Sequence, residues 1–329
     1  MVDISKFYKY IPYLIMMAGL TILYDKYKLH QQDEETMESY DMVQKFLLND
    51  SSLATNKPIL WIHNTYDINA RDWKSFYSRN SSELNQPYLM LTIKSIVDRN
   101  GSDFNICLID DDSFQKLIPE WSIDLNMVAD PVKTKIRQLA LSKLLFIYGG
   151  FLVPSSFICF HSLKPIFEQI TEGDKMFVGE LVDRNSTSQY VNFFANTKFM
   201  GCTKGCIMMQ HYNSYLESMV STDYTSESDF LGAYGRWCNE KVMNSEINMI
   251  PAELLGVKDS IGKVIGIERL INNTFVELSK SALGLYIPAN DIIKRTAYQW
   301  FARMSVKQAL ASESMIGKYL LIGNQLKGT

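Results

Sequence analysis

The sequence predicts an α/β domain built on a mainly parallel sheet with helices on both faces. Three observations predict it. Short apolar runs of strand type alternate with stretches of helical spacing along residues 57–241. One helix, Lys133 to Ile147, ends in Gly149-Gly150 and runs directly into another apolar run. A chain of 329 residues, 47% hydrophobic and 21% charged, has the apolar content to bury such a core.

Taken in order, Lys57 to His63 (KPILWIH) is a first buried strand. Pro87 to Arg99 is a helix, with proline near its start and Asn100-Gly101 after its end. Phe104 to Ile109 (FNICLI) is the second strand, and Asp110 to Ser113 supply N-cap residues for a helical turn through Leu117. The helix from Lys133 to Ile147 carries Ile136, Leu139, Ala140, Leu144 and Ile147 on one face, and Phe151 to Phe157 follows as a strand. Lys175 to Leu181 and Phe193 to Gly201 are further strands, and Ile207 to Val220 and Ser228 to Lys241 are helices. Ile247 to Leu285, punctuated by Gly256, Gly262, Gly266 and Gly284, predicts small strands and turns. Asp291 to Ser312 predicts a C-terminal helix.

Ahead of this domain, which takes in residues 57–329, lie two segments of different character. Ile11 to Tyr24 has no charged residue and is flanked by lysines on both sides. Fourteen residues at about 1.5 Å each fall short of a hydrocarbon core of roughly 30 Å, but the window extends through Phe7, Tyr8 and Tyr10 with tyrosines at the interface. Residues 1–28 therefore predict a single-pass anchor helix, with membrane contact through residues 7–27; no small-residue cleavage site marks a signal peptide. Residues 29–56 are polar and acidic and predict a stalk, with a short helix from Glu34 to Leu48.

A net charge of -3 with interspersed signs excludes a nucleic-acid partner, because no basic block is present to release counterions. Five scattered cysteines, an odd number, predict free thiols in a reducing compartment. Cys202, Cys206 and His211 form C-x3-C-x4-H, wider than zinc spacing and short of a fourth ligand, so they predict buried small thiols. The Asn-x-Ser/Thr matches at Asn49, Asn80, Asn185 and Asn272 matter only in a lumenal setting.

The stretch KTKIRQLALSKLLFIYGGFLVPSSFICFHSLKP, Lys133 to Pro165, resembles the glycosyltransferases with a DXD-type sugar-binding region, especially the capsular-polysaccharide-synthesis type and the related mannosyltransferase-like group. Leu144, Leu145, Tyr148, Gly149, Gly150, Phe151, Leu152 and Val153 fall on the apolar frame of that pattern. ILWIHNTYD, FNICLIDDDSF and SDFLGAYGRW look like further family segments. The resemblance implies a GT-A fold, a Rossmann-type sheet whose strand-end carboxylates hold manganese or magnesium against the diphosphate of a nucleotide sugar. The polar positions depart from the pattern. Its Ser-Asp pair falls on Arg137 and Gln138, its arginine on Leu141, and its acidic strand-end residues on Pro154 and Ser156. Proline has no donor atom, and a serine hydroxyl is a weak ligand for a hard cation.

The resemblance therefore implies a remnant nucleotide and sugar site at Trp61, His63, Arg137, Gln138, Pro154, Ser155 and Ser156, with no metal and no cofactor. Asp110, Asp111 and Asp112 are the alternative carboxylate cluster, read first as helix-capping residues. Glu180 and Asp183 follow a strand at the carboxyl edge, where an acid could serve as base. The expectation is a membrane-anchored, catalytically degenerate glycosyltransferase-like protein retained for binding or assembly with other subunits, of a style that fits a virion or minor capsid component of a large DNA virus. The alternative is an active transferase, moving sugar from a nucleotide sugar to a glycan or protein acceptor by a non-standard site with manganese or magnesium, or by a metal-independent site with Arg137 or Lys143 meeting the leaving diphosphate.

Overall fold

The computed structural model describes residues 57–64, 86–181, 194–221 and 232–325. The anchor, the stalk and Asp183 lie outside the described residues. Among the described residues, no helix is long and apolar enough to cross a membrane.

The strands form where apolar runs are buried on both sides, as a covered parallel sheet requires. β1 (Ile59–His63) pairs in parallel with β2 (Asn105–Ile109) on one side and with β3 (Gly150–Pro154) on the other. β6 (Ala195–Cys202) pairs antiparallel with β3 and with β5 (Phe177–Glu180), and β7 (Asn248–Ile250) closes the far edge parallel to β5. The order is β2-β1-β3-β6-β5-β7, with β6 the one reversed strand. The predicted mainly parallel sheet is thus present.

Helices cover both faces. Ile59, Trp61, Cys107, Ile109, Leu152, Val178 and Met200 face one side, where α3 (Val132–Tyr148) and α5 (Ile207–Ser221) pack with Ile136, Leu139, Leu144, Tyr212 and Leu216. The alternate residues face the other side. There Phe151 meets Phe167 of α4 (Lys164–Ile170) and Phe177, with ring centroids 6.2 and 4.9 Å away. Burying a side chain of this size contributes about 2 kcal/mol, so the aromatic layer is a principal support of that face. The other described helices of the main body are α1 (Leu89–Asn100), α2 (Ser113–Leu117) and α6 (Gly232–Met243).

The Gly-Gly pair is needed at the amino edge of β3. Gly149 and Gly150 have φ of 71° and 112°, and a Cβ on Gly150 would lie 2.3 Å from the Ile59 carbonyl oxygen. No side chain fits there.

Two elements differ from the sequence expectation. The run from Phe151 to Phe157 is not one strand: β3 stops at Pro154, Ser155 and Ser156 turn, and β4 (Phe157–Cys159) pairs antiparallel with β8 (Gly284–Tyr286) in a separate two-stranded sheet. Proline cannot donate to a ladder, and both halves of the run are buried, so hydrophobicity alone hides the break. The segment from Asp291 to Ser312 is not one helix. It divides into α8 (Ala289–Lys294), α9 (Gln299–Ala302) and α10 (Val306–Ala311), followed by α11 (Met315–Gln325). Ser305 starts α10 with a capping box to Gln308, which interrupts any longer helix. These helices, with α7 (Ile267–Ile271), enclose a second apolar cluster around Phe301, Ile316 and Leu320.

Candidate functional site at the carboxyl edge

From β1 the chain passes to β2 on one side and then returns across β1 to β3 on the other. The carboxyl ends of β1 and β3 are thus a topological switch point, where open α/β sheets leave a crevice for ligands. His63 ends β1 in register with Pro154 at the end of β3, and Asp110 to Ser113 follow β2.

Asp111 is the centre of this edge. Arg137, from the first half of α3, donates Nε to its Oδ1 at 2.8 Å and an η-nitrogen to its Oδ2 at 2.6 Å. His63 Nε2 lies 3.0 Å from Oδ1, and the imidazole stacks on Phe114 with centroids 5.5 Å apart and planes within 9°. The three side chains are 15%, 13% and 9% exposed for Asp111, Arg137 and His63, so the cluster is largely desolvated. Burial by itself raises the Asp111 carboxyl. The hydrogen bonds and charges of Arg137 and His63 outweigh it and hold the group well below the usual carboxylate range.

The neighbouring carboxylates are turned to other work. Asp110 Oδ1 accepts from the Ser113 amide at 2.9 Å and from its hydroxyl at 2.6 Å, closing the turn into α2. Asp112 is exposed, with Asn126 Nδ2 at 3.3 Å from its Oδ1. The three aspartates do not converge, and among the described residues no cluster of His, Cys, Asp or Glu is arranged to hold a metal. With both Asp111 oxygens engaged and Pro154 and Ser156 at the strand end, the donor set does not fit the divalent cation that the resemblance implies.

The other predicted residues divide between crevice and core. Gln138 lies over the β3–β6 junction, its amide nitrogen 3.6 Å from Met200 Sδ. Leu141 is buried in the core. Trp61 is 1% exposed, and its indole N–H donates to the Gly149 carbonyl at 2.9 Å, so it supports the Gly-Gly turn away from the crevice. The Pro154 to Ser156 turn is held from two sides: Thr92 Oγ1 donates to the Ser155 carbonyl, and the Ile287 amide donates to that of Ser156 at 3.0 Å.

Glu180, at the end of β5, is 5% exposed and has both oxygens occupied, by Lys258 Nζ at 2.5 Å and the Ala252 amide at 3.0 Å. That is a structural ion pair pinning the segment after β7. Lys143 faces away, bridging to Glu217 of α5 at 2.7 Å.

All five cysteines are free and buried. The Cys206 thiol is lowered to about 6, chiefly by its contact with Cys202 and, against burial, by the Met209 and Met208 amides at the start of α5; its S–H lies 3.1 Å from the Asp174 carbonyl.

One group at this edge escaped the sequence reading. Lys198, on β6 two residues before the Met200 that pairs with Leu152, donates Nζ to the Tyr286 hydroxyl at 2.8 Å. In the sequence it is the one charged residue of the strand Ala195–Cys202.

The sequence matches no family model and no curated protein. Among solved structures the chain is similar to the crystal structure of the apo-form glycosyltransferase GlyE of Streptococcus pneumoniae TIGR4, with 10% identity and a TM-score of 0.36, over 60% of this chain and 46% of that one. The match takes in a little under half of that protein's chain.

Proposed function

We propose that this chain is a glycosyltransferase-like protein of GT-A type that no longer carries out metal-dependent sugar transfer and serves as a binding or structural component. One observation carries the reading: at the switch point, where a metal-binding acid is needed, Asp111 is closed off by a bidentate Arg137 and by His63. A hard cation here would have to share the carboxylate with a guanidinium and an imidazole already held on it at 2.6–3.0 Å, and its charge would be set against that of Arg137. The packing frame around Gly149 and Gly150 is kept while the polar positions have changed, which fits a fold retained for shape. The wider reading adds a single-pass anchor through residues 7–27, a domain in a reducing compartment, and assembly with other subunits, as in a virion or minor capsid component.

The test is turnover. The full-length protein is incubated with the common nucleotide sugars, with manganese and with EDTA, and release of nucleoside diphosphate is followed. No release above the uncatalysed rate is expected. Manganese-dependent release would overturn the proposal outright. Release in EDTA would support the competing reading, metal-independent transfer. That reading requires cations other than Arg137 and Lys143, which are tied to Asp111 and Glu217.

A further inference from the structure

The turn from β6 to α5 lies at the opposite end of the sheet from Asp111. Cys202 ends β6 in register with Gly150, at the amino edge of β3, and Cys206 immediately precedes α5. Between them the chain reverses sharply: the Cys206 amide donates to the Thr203 carbonyl at 3.3 Å, and Gly205 has a φ of 75°. The turn is anchored on two sides. The Gly205 amide donates to the Phe146 carbonyl of α3 at 2.8 Å, and the Thr203 hydroxyl donates to Asp174 Oδ1 at 3.1 Å. The reversal brings the two cysteine side chains into hydrogen-bond contact. Around them, the Leu145 carbonyl lies 3.4 Å from Cys202 Sγ and the Asp174 carbonyl 3.1 Å from Cys206 Sγ.

The two sulfurs are not equivalent. Cys202 is 0% exposed, as are Cys107, Cys159 and Cys238, whereas Cys206 is 3% exposed and lies between Gly205 and Ile207, both open to solvent. Contact with Cys202 and the Met209 and Met208 amides favour the thiolate at Cys206, while contact with Cys206 and burial keep Cys202 protonated. A thiolate nearest the surface, touching a buried and protonated thiol, has the layout of an attacking and a resolving cysteine. Sulfurs already in contact also meet the requirement of a disulfide that the two Cβ vectors converge.

We propose that Cys206 and Cys202 form a reversible thiol-oxidation site that takes a hydroperoxide as oxidant and closes to an intramolecular disulfide. The Cys206 thiolate attacks one peroxide oxygen; an S–O bond forms, the O–O bond breaks, and the hydroxide that leaves takes up a proton as water. The Cys202 sulfur then attacks the Cys206 sulfenic acid. An S–S bond forms, the S–O bond breaks, and the Cys202 proton leaves with the hydroxyl as a second water. Two thiols lose two electrons, and one peroxide gains them. In a reducing compartment such a bond is transient and serves as a sensor, not as a staple. The site shares no residue with the carboxyl edge, so it stands independently of the glycosyltransferase-like reading.

The experiment is peptide mass analysis of the full-length protein, reduced, desalted and exposed to a few equivalents of hydrogen peroxide. Remaining thiols are blocked with N-ethylmaleimide in denaturant, and the protein is digested without reductant. Trypsin cuts after Lys198, Lys204 and Arg236, so the disulfide joins peptides 199–204 and 205–236. The joined pair should appear lighter by two hydrogens than its two parts, and should separate on treatment with dithiothreitol. Free, maleimide-blocked Cys202 and Cys206 after peroxide, a sulfinic acid on Cys206 with Cys202 still free, or prior oxidation of Cys107, Cys159 or Cys238 would each overturn the assignment. Dimedone, which traps sulfenic acid, separates the roles: Cys202→Ser should raise its capture at Cys206 several-fold over wild type. Equal capture in the two proteins would remove Cys202 as the resolving thiol and overturn the pair. The wild-type digest decides the disulfide itself, whether or not the variant folds.

Discussion

Replacing Arg137 with methionine keeps the unbranched stem and the helix propensity while removing the guanidinium from Asp111. Two unit charges about 4 Å apart attract by roughly 4 kcal/mol at an effective dielectric of 20. His63 remains on Oδ1, and Asp111 is 15% exposed, so part of that interaction is recovered. The expected loss at pH 7 is therefore about 2–4 kcal/mol, or roughly 5–10 °C in Tm for a domain of this size. The pH dependence follows from the direction of the Asp111 shift. In the wild-type protein the depressed carboxyl contributes stability that is complete above the unfolded value of about 4 and is lost as pH falls below it. Without Arg137 two of the contributions that lower the group are gone and only those of His63 remain against burial, so the group moves up from its wild-type position and the variant is protonated at a higher pH than the wild type. The gap between the two proteins should narrow as pH falls. Urea unfolding at several pH values measures this, with Lys143→Met on the same helix as control. The Lys143–Glu217 pair is 32% and 50% exposed, and its loss should cost no more than about 0.5 kcal/mol. A cost for Arg137→Met indistinguishable from the control, or a gap that does not change with pH, would refute the view of Asp111 as a closed, desolvated carboxylate.

Three further outcomes are expected. Glu180→Gln leaves Lys258 facing a neutral amide, with Glu253 3.8 Å away as partial relief, and should cost about 1–3 kcal/mol by urea unfolding; a neutral result would show that the pair is solvated. Gly150→Ala drives a methyl into the Ile59 carbonyl and should abolish soluble expression or cost more than about 3 kcal/mol, whereas Gly205→Ala, with nothing within 4 Å of its Cβ, should cost about 1 kcal/mol through its positive φ. Alkylation by iodoacetamide, followed by peptide mass, should modify Cys206 ahead of the other four thiols, with a rate that rises through a midpoint near 6; preferential labelling of Cys107 or Cys159, which burial pushes up to about 11 and 12, would contradict this.

Where one residue's surroundings follow from its near neighbours, the sequence was a good guide. Ile136, Leu139, Ala140 and Leu144 share a helical face and are all buried, and the glycines that end the helix have the positive φ that only glycine adopts easily. Errors arose where an apolar run continued through a change of partner, as from β3 to β4, and where Ser305 caps a new helix inside a stretch of helical spacing. The capping signature Ser305-Val306-Lys307-Gln308 marks that break. The site was less legible than the fold. Asp111 and Arg137 are 26 residues apart, and their meeting depends on the crossover that returns the chain past β1.

The turn from Pro154 to Ser156 carries an energetic consequence. It is covalently joined to both sheets and is held by the side chain of Thr92 and the backbone of Ile287, from elements nearly two hundred residues apart in sequence. Opening it would break contacts to α1 and to the segment after β8 together. The turn is thus shaped in advance, and a ligand bound against it would spend little of its association free energy on ordering it. Selection there would fall on the shape and charge of the ligand, not on its capacity to remodel the protein.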